Sequence, residues 1–551
     1  MDTNEYRAAA KAAIDESTSA EFKAGGHDMR WYSQVQMTDT LSTPAVADYY
    51  DGIDSHRVVS SVEPGYLRPL LPSQAPLDPE PISAIQADIQ SKILPGITHW
   101  ASPRFMAFFA CSSSFPAAIA EMYITAFNGS HFNWICSPAS TELETVVMDW
   151  LAQAIALPSC FLSGGPTGGG GVIHGSASEA LLTVMVAARD RYLAEVMAHV
   201  DADMDEEEKE DELWRRRSKL VALGSAGAHS STHKAANVLG VRYMTVPVSE
   251  ESGWAMTGDA LAGVLAKLEA KGLEPFYLTA TLGTTDVCAV DDFEGIAQVL
   301  EQRQQQQESR ERDTKRGNIW VHVDAAWAGA ALLLPENQHL TPSLHKLDSF
   351  NFNPHKWMLT AFDCSALWVR KRGDLINAMS VKPPYLRNQF SDGELVTDYR
   401  DWQIPLGRRF RSLKLWFVMR SYGIRGLQDH IRRHVELAEV LQKLLAGRDD
   451  LFTIFTEARF ALVTFRVRGD VSSSSSQITE EGKEKRSNDI TERVYNAVND
   501  GGEFFLTSTV IQGKFVIRVC TGVERVAEQQ VQRLFELFVE LTEKIVKDRT
   551  E

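Results

Sequence analysis

The chain has 551 residues, of which 44% are hydrophobic, and it carries a formal net charge of −17. This length and composition are sufficient for a large buried core and predict several domains. The excess of acidic residues argues against a nucleic-acid-binding surface, which is normally basic. No stretch approaches the roughly 20 uninterrupted apolar residues of a membrane-spanning helix, and residues 1–16 lack the apolar core of a signal peptide. We therefore expect a cytoplasmic enzyme that acts on a small molecule.

The cysteines are scattered along the chain, without the paired spacing of a zinc site or a redox dithiol. This usage is typical of a reducing compartment, and we predict no metal site. The six cysteines are Cys111, Cys136, Cys160, Cys288, Cys364 and Cys520.

From about residue 115 to 413, apolar runs typical of buried strands (276–280, 319–323 and 366–370) alternate with helical patterns such as 179–196. This alternation predicts a mainly parallel sheet with helices on both faces. A long helix is predicted at 414–444. After it, a smaller α+β domain is predicted from strands at 460–467 and 514–519 and helices at 491–498 and 526–546.

Three stretches are too polar to pack into a core and are predicted to be solvated: 201–212, 302–317 and 469–487. The first, which is dominated by acids, could dock a basic partner, but a solvated helix or loop is the simpler interpretation. We assign none of the three a catalytic role.

Two motifs indicate a cofactor site: NPHKW at 353–357 and VHVDAAWAG at 321–329. Pyridoxal phosphate needs an amine for its Schiff base and an anion beside its ring nitrogen, and Lys356 and Asp324 could supply them. Most lysines and aspartates are solvated, but these two lie among apolar or small residues. Residues 319–323 resemble a buried strand, which places Asp324 at its carboxyl end, where open α/β sheets bind ligands.

A glycine-rich segment could hold the cofactor's phosphate. Residues 168–171 are glycines, and the sequence GSAS at 175–178 precedes a helix predicted to begin near Glu179. Backbone N–H groups and the positive end of a helix bind anions. Taken alone, such a loop is weak evidence, and a plain capped turn is the better interpretation.

Several collinear motifs resemble those of the group II pyridoxal-dependent decarboxylases, and closely those of the aromatic L-amino acid decarboxylases. The motifs are VEPGYLRP (62–69), GSASEA (175–180), ATLGTT (280–285), SFNFNPHKW (349–357), DYR (398–400) and WQIPLGRRF (402–410). The resemblance covers nearly the whole chain. It implies a fold-type I enzyme that decarboxylates an aromatic amino acid, and a homodimer with the active site at its interface.

The resemblance also implies three regions: an N-terminal helical dimerisation segment (1–114), a large domain that binds pyridoxal phosphate (115–413) and a small C-terminal domain (414–551). Residues 17–45 are additional to the family pattern. We interpret them as either a lineage-specific loop or an artefact of gene prediction such as a retained intron. Because this region packs against the partner subunit in the family, the insertion bears on dimer contacts more than on chemistry.

Most of the cofactor-binding positions are carried over from the family. By resemblance, Ala177 and Ser178 contact the phosphate, His355 helps to hold it, Thr285 lies close to the cofactor, and Asn353 is a further cofactor-binding position.

The resemblance also assigns groups to the cofactor ring. His229 would stack on the ring and either contact the substrate carboxylate or transfer a proton, and Ala326 would pack against the other ring face. A hydrogen-bonded structural histidine and a small residue after a strand are the alternative interpretations.

Tyr385, in the sequence PPYL at 383–386, matches the loop tyrosine that protonates Cα in the family. In aldehyde-forming relatives phenylalanine typically replaces it, so Tyr385 favours amine production. The polar run 387–394 is typical of a closing lid.

Three positions are candidates for substrate selection. Phe132 aligns with an aromatic residue that reaches the partner subunit's pocket, and Cys111 replaces a common threonine. Gly407 matches a glycine that accompanies indole-binding pockets in plant relatives. Without the threonine hydroxyl, the site should recognise a polar substituent on the substrate ring less well. We therefore expect an aromatic substrate of the tryptophan type.

Two other enzymatic functions and one binding function stay open. An oxidative aldehyde synthase shares the motifs, and a decarboxylase of acidic amino acids shares the lysine motif but would need a cationic pocket, against which the run 404–410 argues. A catalytically silent binding protein would lack the cofactor, so visible absorption of the purified protein would exclude it.

Overall fold

The computed structural model describes residues 2–17, 42–200, 204–308, 316–381, 390, 396–470 and 479–548. The chain forms two compact units: one consists of Met1–Phe127 together with His434–Glu551, and the other of Asn128–Arg433. Most of the additional segment at 17–45 lies outside the described residues. The three regions inferred from the resemblance stay a prediction.

The unit at 128–433 is built on a sheet that has seven strands within its described residues. In space the order is β1-β7-β6-β5-β4-β2-β3, and every strand runs in the same direction except β7. The strands are β1 (Gly170–His174), β2 (Leu220–Ser225), β3 (Arg242–Val246), β4 (Glu274–Thr281), β5 (Trp320–Asp324), β6 (Ser349–Phe352) and β7 (Ser365–Val369).

Every residue of these strands is buried except in β3, which is at the edge of the sheet. Parallel strands covered on both faces are expected to be continuously apolar. The α-helices of this unit that lie before residue 411 are Pro138–Ala154, Ala177–Met197, Glu206–Arg217, Ser231–Leu239, Gly258–Ala270, Phe293–Glu308, Pro354–Trp357 and Arg372–Met379.

The helix Ala177–Met197 fixes one end of the candidate site. It starts directly after β1, where the side chain of Ser176 caps it by accepting a hydrogen bond from the Glu179 N–H at 3.2 Å. Its apolar face, which includes Ala180, Val184 and Ala188, packs in one core with strands of the sheet. The amino end of the helix therefore lies at the edge where β1 ends.

The other unit contains a four-stranded antiparallel sheet in the order β10-β11-β9-β8. Residues near the start of the chain complete it: the Met106 N–H donates to the Phe505 carbonyl, and the Cys520 N–H donates to the Met106 carbonyl, both at 3.0 Å. The strands are β8 (Phe452–Arg459), β9 (Leu462–Val467), β10 (Thr507–Ile511) and β11 (Lys514–Cys520). The helices are Thr3–Ser17, Ser42–Asp51, Ile82–Asp88, Phe115–Ala126, Glu480–Gly501 and Glu528–Lys547. A further helix, Arg411–Ala446, contains residues of both units and is interrupted at Gly423.

The structure confirms the predicted fold class, a mainly parallel sheet flanked by helices with a smaller C-terminal α+β part. The prediction that 302–317 and 469–487 are wholly solvated is wrong. The helix Phe293–Glu308 runs into the first stretch, and its Arg303 is buried and pairs with Glu269 at 3.3 Å. In the second, Ser487 is buried and donates to the Val467 carbonyl. Among the described residues we find no helix long and apolar enough to cross a membrane.

Candidate active site

A chain of backbone hydrogen bonds joins Asp324 to Lys356. The Ala326 N–H donates to Asp324 Oδ1 at 2.9 Å, the Asn353 N–H donates to the Ala326 carbonyl at 3.1 Å, and the Lys356 N–H donates to the Asn353 carbonyl at 2.9 Å. Asp324 is the last residue of β5, and Lys356 lies in the short helix that follows β6. The two residues singled out in the sequence are thus held together at one edge of the sheet.

Two indoles reinforce this junction. Trp327 and Trp357 stack with ring centroids 4.6 Å apart and an interplanar angle of 2°. Both side chains are fully buried. Trp327 directly follows Ala326, and Trp357 directly follows Lys356. The stack therefore fixes the turn after β5 against the helix that carries Lys356.

His229 lies after the end of β2, close enough to both charged groups to respond to them. Its pKa is lowered mainly by the protein atoms that displace water around it; the Asp324 carboxylate opposes this shift and the Lys356 ammonium adds to it. Its Nδ1 accepts a hydrogen bond from the Ser231 N–H at 3.2 Å, which leaves the ring proton on Nε2. The neutral ring is exposed, so it is free to contact a ligand.

The turn at 175–178 is shaped by two carboxylates. Glu179 accepts from the Gly175 N–H at 3.0 Å and approaches His174 Nδ1 at 3.3 Å. Asp363, held by the Arg411 guanidinium at 3.0 and 3.2 Å, lies beside the same turn. A Cβ at Gly175 would be only 2.9 Å from Asp363 Oδ2 and 3.0 Å from Glu179 Oε2, so the turn requires glycine.

The groups around this turn fit a phosphate-bearing cofactor. Ala177 and Ser178 begin the helix, and the first N–H groups of a helix have no partner within it. Asn353 Oδ1 is buried and has no hydrogen-bond partner among the described residues, as expected of an atom that binds a ligand. Thr285 lies just beyond β4, partly buried. The predicted cofactor residues follow the carboxyl ends of five strands: β1, β2, β4, β5 and β6. They therefore lie at the same edge of the sheet.

His355 is a neutral neighbour of Lys356. Burial, and secondarily the Lys356 charge, lower the pKa of His355 to about 4. Its Nδ1 accepts a hydrogen bond from the Cys364 N–H at 2.9 Å, so the ring proton is on Nε2. The imidazole therefore adds no second positive charge beside the amine.

The substrate residues predicted from the resemblance fall into separate places. The segment of Phe132 contacts that of Gly407, because the His131 N–H donates to the Arg408 carbonyl at 3.1 Å and a Cβ at Gly407 would be 3.1 Å from Ser130 Oγ. Cys111 belongs to the other unit. Tyr385 and most of the predicted lid lie outside the described residues.

Sequence reasoning missed several polar residues that shape this edge. Asp291 is fully buried and accepts from the N–H groups of Met256 (2.7 Å) and Thr281 (2.8 Å), and burial raises its pKa to about 7. Glu179 and Asp363 were missed as well. No local pattern indicates these contacts, although the alternation of Trp320, His322 and Asp324 on β5 was a visible sign of a polar face. No cluster of His, Cys, Asp or Glu in the described part of the chain is placed to hold a metal ion.

We expect Gly175→Ala to weaken pyridoxal phosphate binding about tenfold, because overpacking against two anchored carboxylates costs roughly 1–3 kcal/mol. Affinity would be measured by fluorescence titration of cofactor-free protein. Gly164→Ala is the matched control, since nothing lies within 4 Å of a Cβ there. Equal affinity of the Gly175 variant and the control would contradict the tight turn.

The low pKa of His355 predicts a pH-dependent stability. In the unfolded chain the imidazole takes up a proton as the pH falls below about 6.5, whereas in the folded protein it stays neutral down to about 4. Its contribution is present above pH 6.5 and is lost as the pH falls toward 4. Between pH 7 and 5.5 the cofactor-free protein should lose about 1 kcal/mol more unfolding free energy than His355→Asn, which keeps an acceptor for the Cys364 N–H. Identical losses in denaturant unfolding would contradict this assignment.

Comparison with known proteins agrees with this geometry. A family model described as the pyridoxal-dependent decarboxylase conserved domain matches residues 64–468. The aromatic-L-amino-acid decarboxylase of Cavia porcellus is 42% identical over 504 residues, which cover 91% of this chain and 96% of that protein. The phenylacetaldehyde synthase of a Rosa hybrid cultivar is 39% identical over 489 residues, 88% of this chain and 89% of that protein.

Among solved structures, Oryza sativa TDC with PLP and tryptamine superposes with a TM-score of 0.84 at 33% identity, covering 95% of this chain and 99% of that one. The family match extends through both the glycine turn and the lysine motif, and it confirms the resemblance seen in the sequence. This chain belongs to the family of pyridoxal-dependent decarboxylases, with pyridoxal 5'-phosphate as its cofactor.

Proposed function

We propose that this chain converts an aromatic L-amino acid to the corresponding arylalkylamine and carbon dioxide. The observation that supports the proposal is the chain of backbone hydrogen bonds that joins Asp324, through Ala326 and Asn353, to Lys356. His229 is near enough to both for their charges to affect its pKa. The aromatic substrate is supported by the names of relatives that align over most of the chain and by the tryptamine in the rice structure.

Each residue of this cluster has a distinct role in the proposal. When bound, pyridoxal phosphate supplies a ring that accepts the electron pair of the broken bond to the carboxylate. The Asp324 carboxylate keeps the ring nitrogen protonated, and the Lys356 amine holds the cofactor and exchanges with the substrate amine. His355 is neutral, so beside the amine it would contribute hydrogen bonding without a positive charge.

The remaining carried-over residues position cofactor and substrate. The N–H groups of Ala177 and Ser178 would hold the phosphate with help from His355, and Asn353 would be a further contact of the cofactor. His229 would cover one ring face and contact the substrate carboxylate, while Ala326 packs on the other face and Thr285 lies beside the ring. These contacts would fix the plane of the ring and so orient the bound substrate for loss of carbon dioxide.

Substrate choice is assigned to Phe132, Cys111 and Gly407. By the resemblance, the absence of a threonine hydroxyl at position 111 would remove one donor for a phenol, and glycine at position 407 would leave room for an indole. We therefore propose a tryptophan-type substrate. The exposed position of Gly407 and its contact with the Phe132 segment are consistent with a pocket wall.

A homodimer is the proposed assembly. The helix Ile82–Asp88 buries none of its residues, and apolar side chains in this part of the chain are exposed, including Leu77 (98%), Ile85 (46%) and Ile89 (46%). Such a contiguous apolar segment indicates an interface. We also propose a cytoplasmic location, because no disulfide joins the six cysteines, all of which lie in the described part of the chain.

Lys356→Ala should abolish turnover, because alanine has no amine to hold the cofactor and to exchange with the substrate amine. The assay incubates the purified protein with a panel of aromatic and acidic amino acids and measures amine, aldehyde and carbon dioxide together. Borohydride should fix the cofactor to Lys356 in the wild type, and this linkage should be absent from the variant. Lys346→Ala, which removes a surface ion pair with Glu294, is the control and should keep full activity. Decarboxylation by Lys356→Ala at the wild-type rate would refute the proposal, as would preferential turnover of acidic substrates.

Tyr385→Phe tests the step that separates amine from aldehyde. Loss of the hydroxyl should slow protonation at Cα by on the order of 10²–10⁴-fold, so that dioxygen competes. The products should then be aromatic aldehyde, ammonia, carbon dioxide and hydrogen peroxide. Tyr66→Phe, which removes a hydroxyl bonded to the Lys92 carbonyl, should still form amine alone. Unchanged amine formation by the Tyr385 variant would make His229 the better proton donor.

Ile85→Glu should weaken the dimer, because it places a charge on the exposed apolar helix. Sedimentation velocity at several concentrations would report the shift toward monomer. Val510→Glu is the control, since Val510 is an isolated exposed apolar residue (63%) of the same unit. A monomeric wild type, or a dimer equally stable in both variants, would exclude this face as the interface.

A further inference from the structure

A cavity lies at the edge of the seven-stranded sheet opposite to the candidate active site. Its walls include Ile319, just before β5, Leu347, just before β6, and Arg370, just after the antiparallel strand β7. The predicted cofactor residues follow the other ends of β5 and β6, so β5 separates the cavity from Asp324 by roughly 15 Å. The cavity has a volume of about 260 Å³, close to the roughly 300 Å³ of the smallest typical ligand sites.

The side chains that line this cavity carry an excess of positive charge. Five cations and three carboxylates form its walls, although the chain as a whole has a net charge of −17. The cations are Arg191, Arg303, Lys346, Arg370 and Lys371, and the carboxylates are Glu195, Glu301 and Asp348. A concentration of cations around one enclosed space in an acidic protein favours an anionic ligand.

Neighbouring carboxylates neutralise only part of this charge. Arg191 Nη1 is 2.7 Å from Asp348 Oδ1, and Lys346 Nζ is 2.9 Å from Glu294 Oε1, which lies outside the cavity wall. Arg370 Nη2, by contrast, is 3.8 Å from the Asp348 oxygen that Arg191 already binds, which is too far for a hydrogen bond. The Arg370 guanidinium therefore keeps donors for a further anion.

Arg303 is the cation whose burial is least compensated. It is only 9% exposed, and its Nε donates to Glu269 Oε1 at 3.3 Å. Its Nη2 is buried without a hydrogen-bond partner among the described residues, as are the Nε atoms of Arg191 and Arg370. Burial lowers the pKa of Arg303 despite the nearby carboxylate. Because a guanidinium keeps its charge in a protein, incomplete bonding of a buried one is costly unless a ligand supplies acceptors.

We propose that this cavity binds a phosphate group, either as inorganic phosphate or as part of a small phosphorylated metabolite. Guanidinium groups bind phosphate oxygens through paired N–H groups. The three arginines come from separate elements: the helix Ala177–Met197, the helix Phe293–Glu308 and the end of β7. A phosphate has acceptor oxygens in several directions, which suits donors from different elements better than a planar carboxylate does. This site is separate from that of pyridoxal phosphate and does not depend on the proposed reaction.

The test titrates the holoenzyme with inorganic phosphate and, separately, with glycerol 3-phosphate, by calorimetry at constant ionic strength. Each probe should saturate at one per chain, while the visible absorption of the bound cofactor stays unchanged. Tighter binding of the ester would identify the ligand as a phosphorylated metabolite, and equal binding would identify it as free phosphate. Both results support a phosphate site.

Arg303→Gln should weaken the binding of both probes about tenfold, as expected for loss of a hydrogen bond between charged groups. Arg370→Gln should weaken it similarly and covers the case in which Arg303→Gln does not fold, because Arg370 is only partly buried. Arg215→Gln is the matched control: it removes one positive charge from a surface ion pair with Glu212 and should bind both probes as the wild type does.

Three results would overturn the proposal. The first is the absence of saturable binding of either probe to the wild-type holoenzyme at millimolar concentrations. The second is equal affinity of the cavity variants and the Arg215 control, which would show that net charge and not the cavity attracts the anion. The third is loss of the cofactor's visible absorption during the titration, which would place the probe in the pyridoxal phosphate site.

Discussion

The relative position of the carboxylate and the amine depends on how the ends of β5 and β6 are joined. The Ala325 N–H donates to the Asn351 carbonyl at 2.9 Å, and the Asn353 N–H donates to the Ala326 carbonyl at 3.1 Å, so strand pairing continues past both strand ends. The stacked indoles of Trp327 and Trp357 close the same junction from within the core. The backbone therefore fixes the separation of Asp324 and Lys356, whichever rotamers their side chains adopt.

The histidines around the site share an electrostatic property. Burial lowers the pKa of His229, His322 and His355, so each contributes a directional donor or acceptor without a positive charge. Lys356 and Asp324 are then left as the opposite charges of the ring-binding region. The protonation of the cofactor ring would then depend mainly on the Asp324 carboxylate.

The sequence was informative where function follows from short-range patterns. Asp324 ends an apolar strand and Lys356 follows the next one, and both facts are visible within a few residues. The contacts of Asp363 with Arg411, of Glu179 with Gly175 and of Ser349 with His322 could not be predicted, because they depend on the register of strands and on turns from distant segments. The burial of Arg303 was missed because composition alone does not show which face of a helix packs inward.

The first and last parts of the chain fold into one unit, and this has a consequence for synthesis. The Met106 backbone lies between the Phe505 carbonyl and the Cys520 N–H, partners about four hundred residues downstream. During translation the amino-terminal segment therefore emerges long before the strands that complete it, while residues 128–433 already contain their own sheet. The central unit can fold first on the ribosome. The apolar face around Met106 must wait until nearly the last residue is made, which makes it the part of the nascent chain most dependent on chaperones.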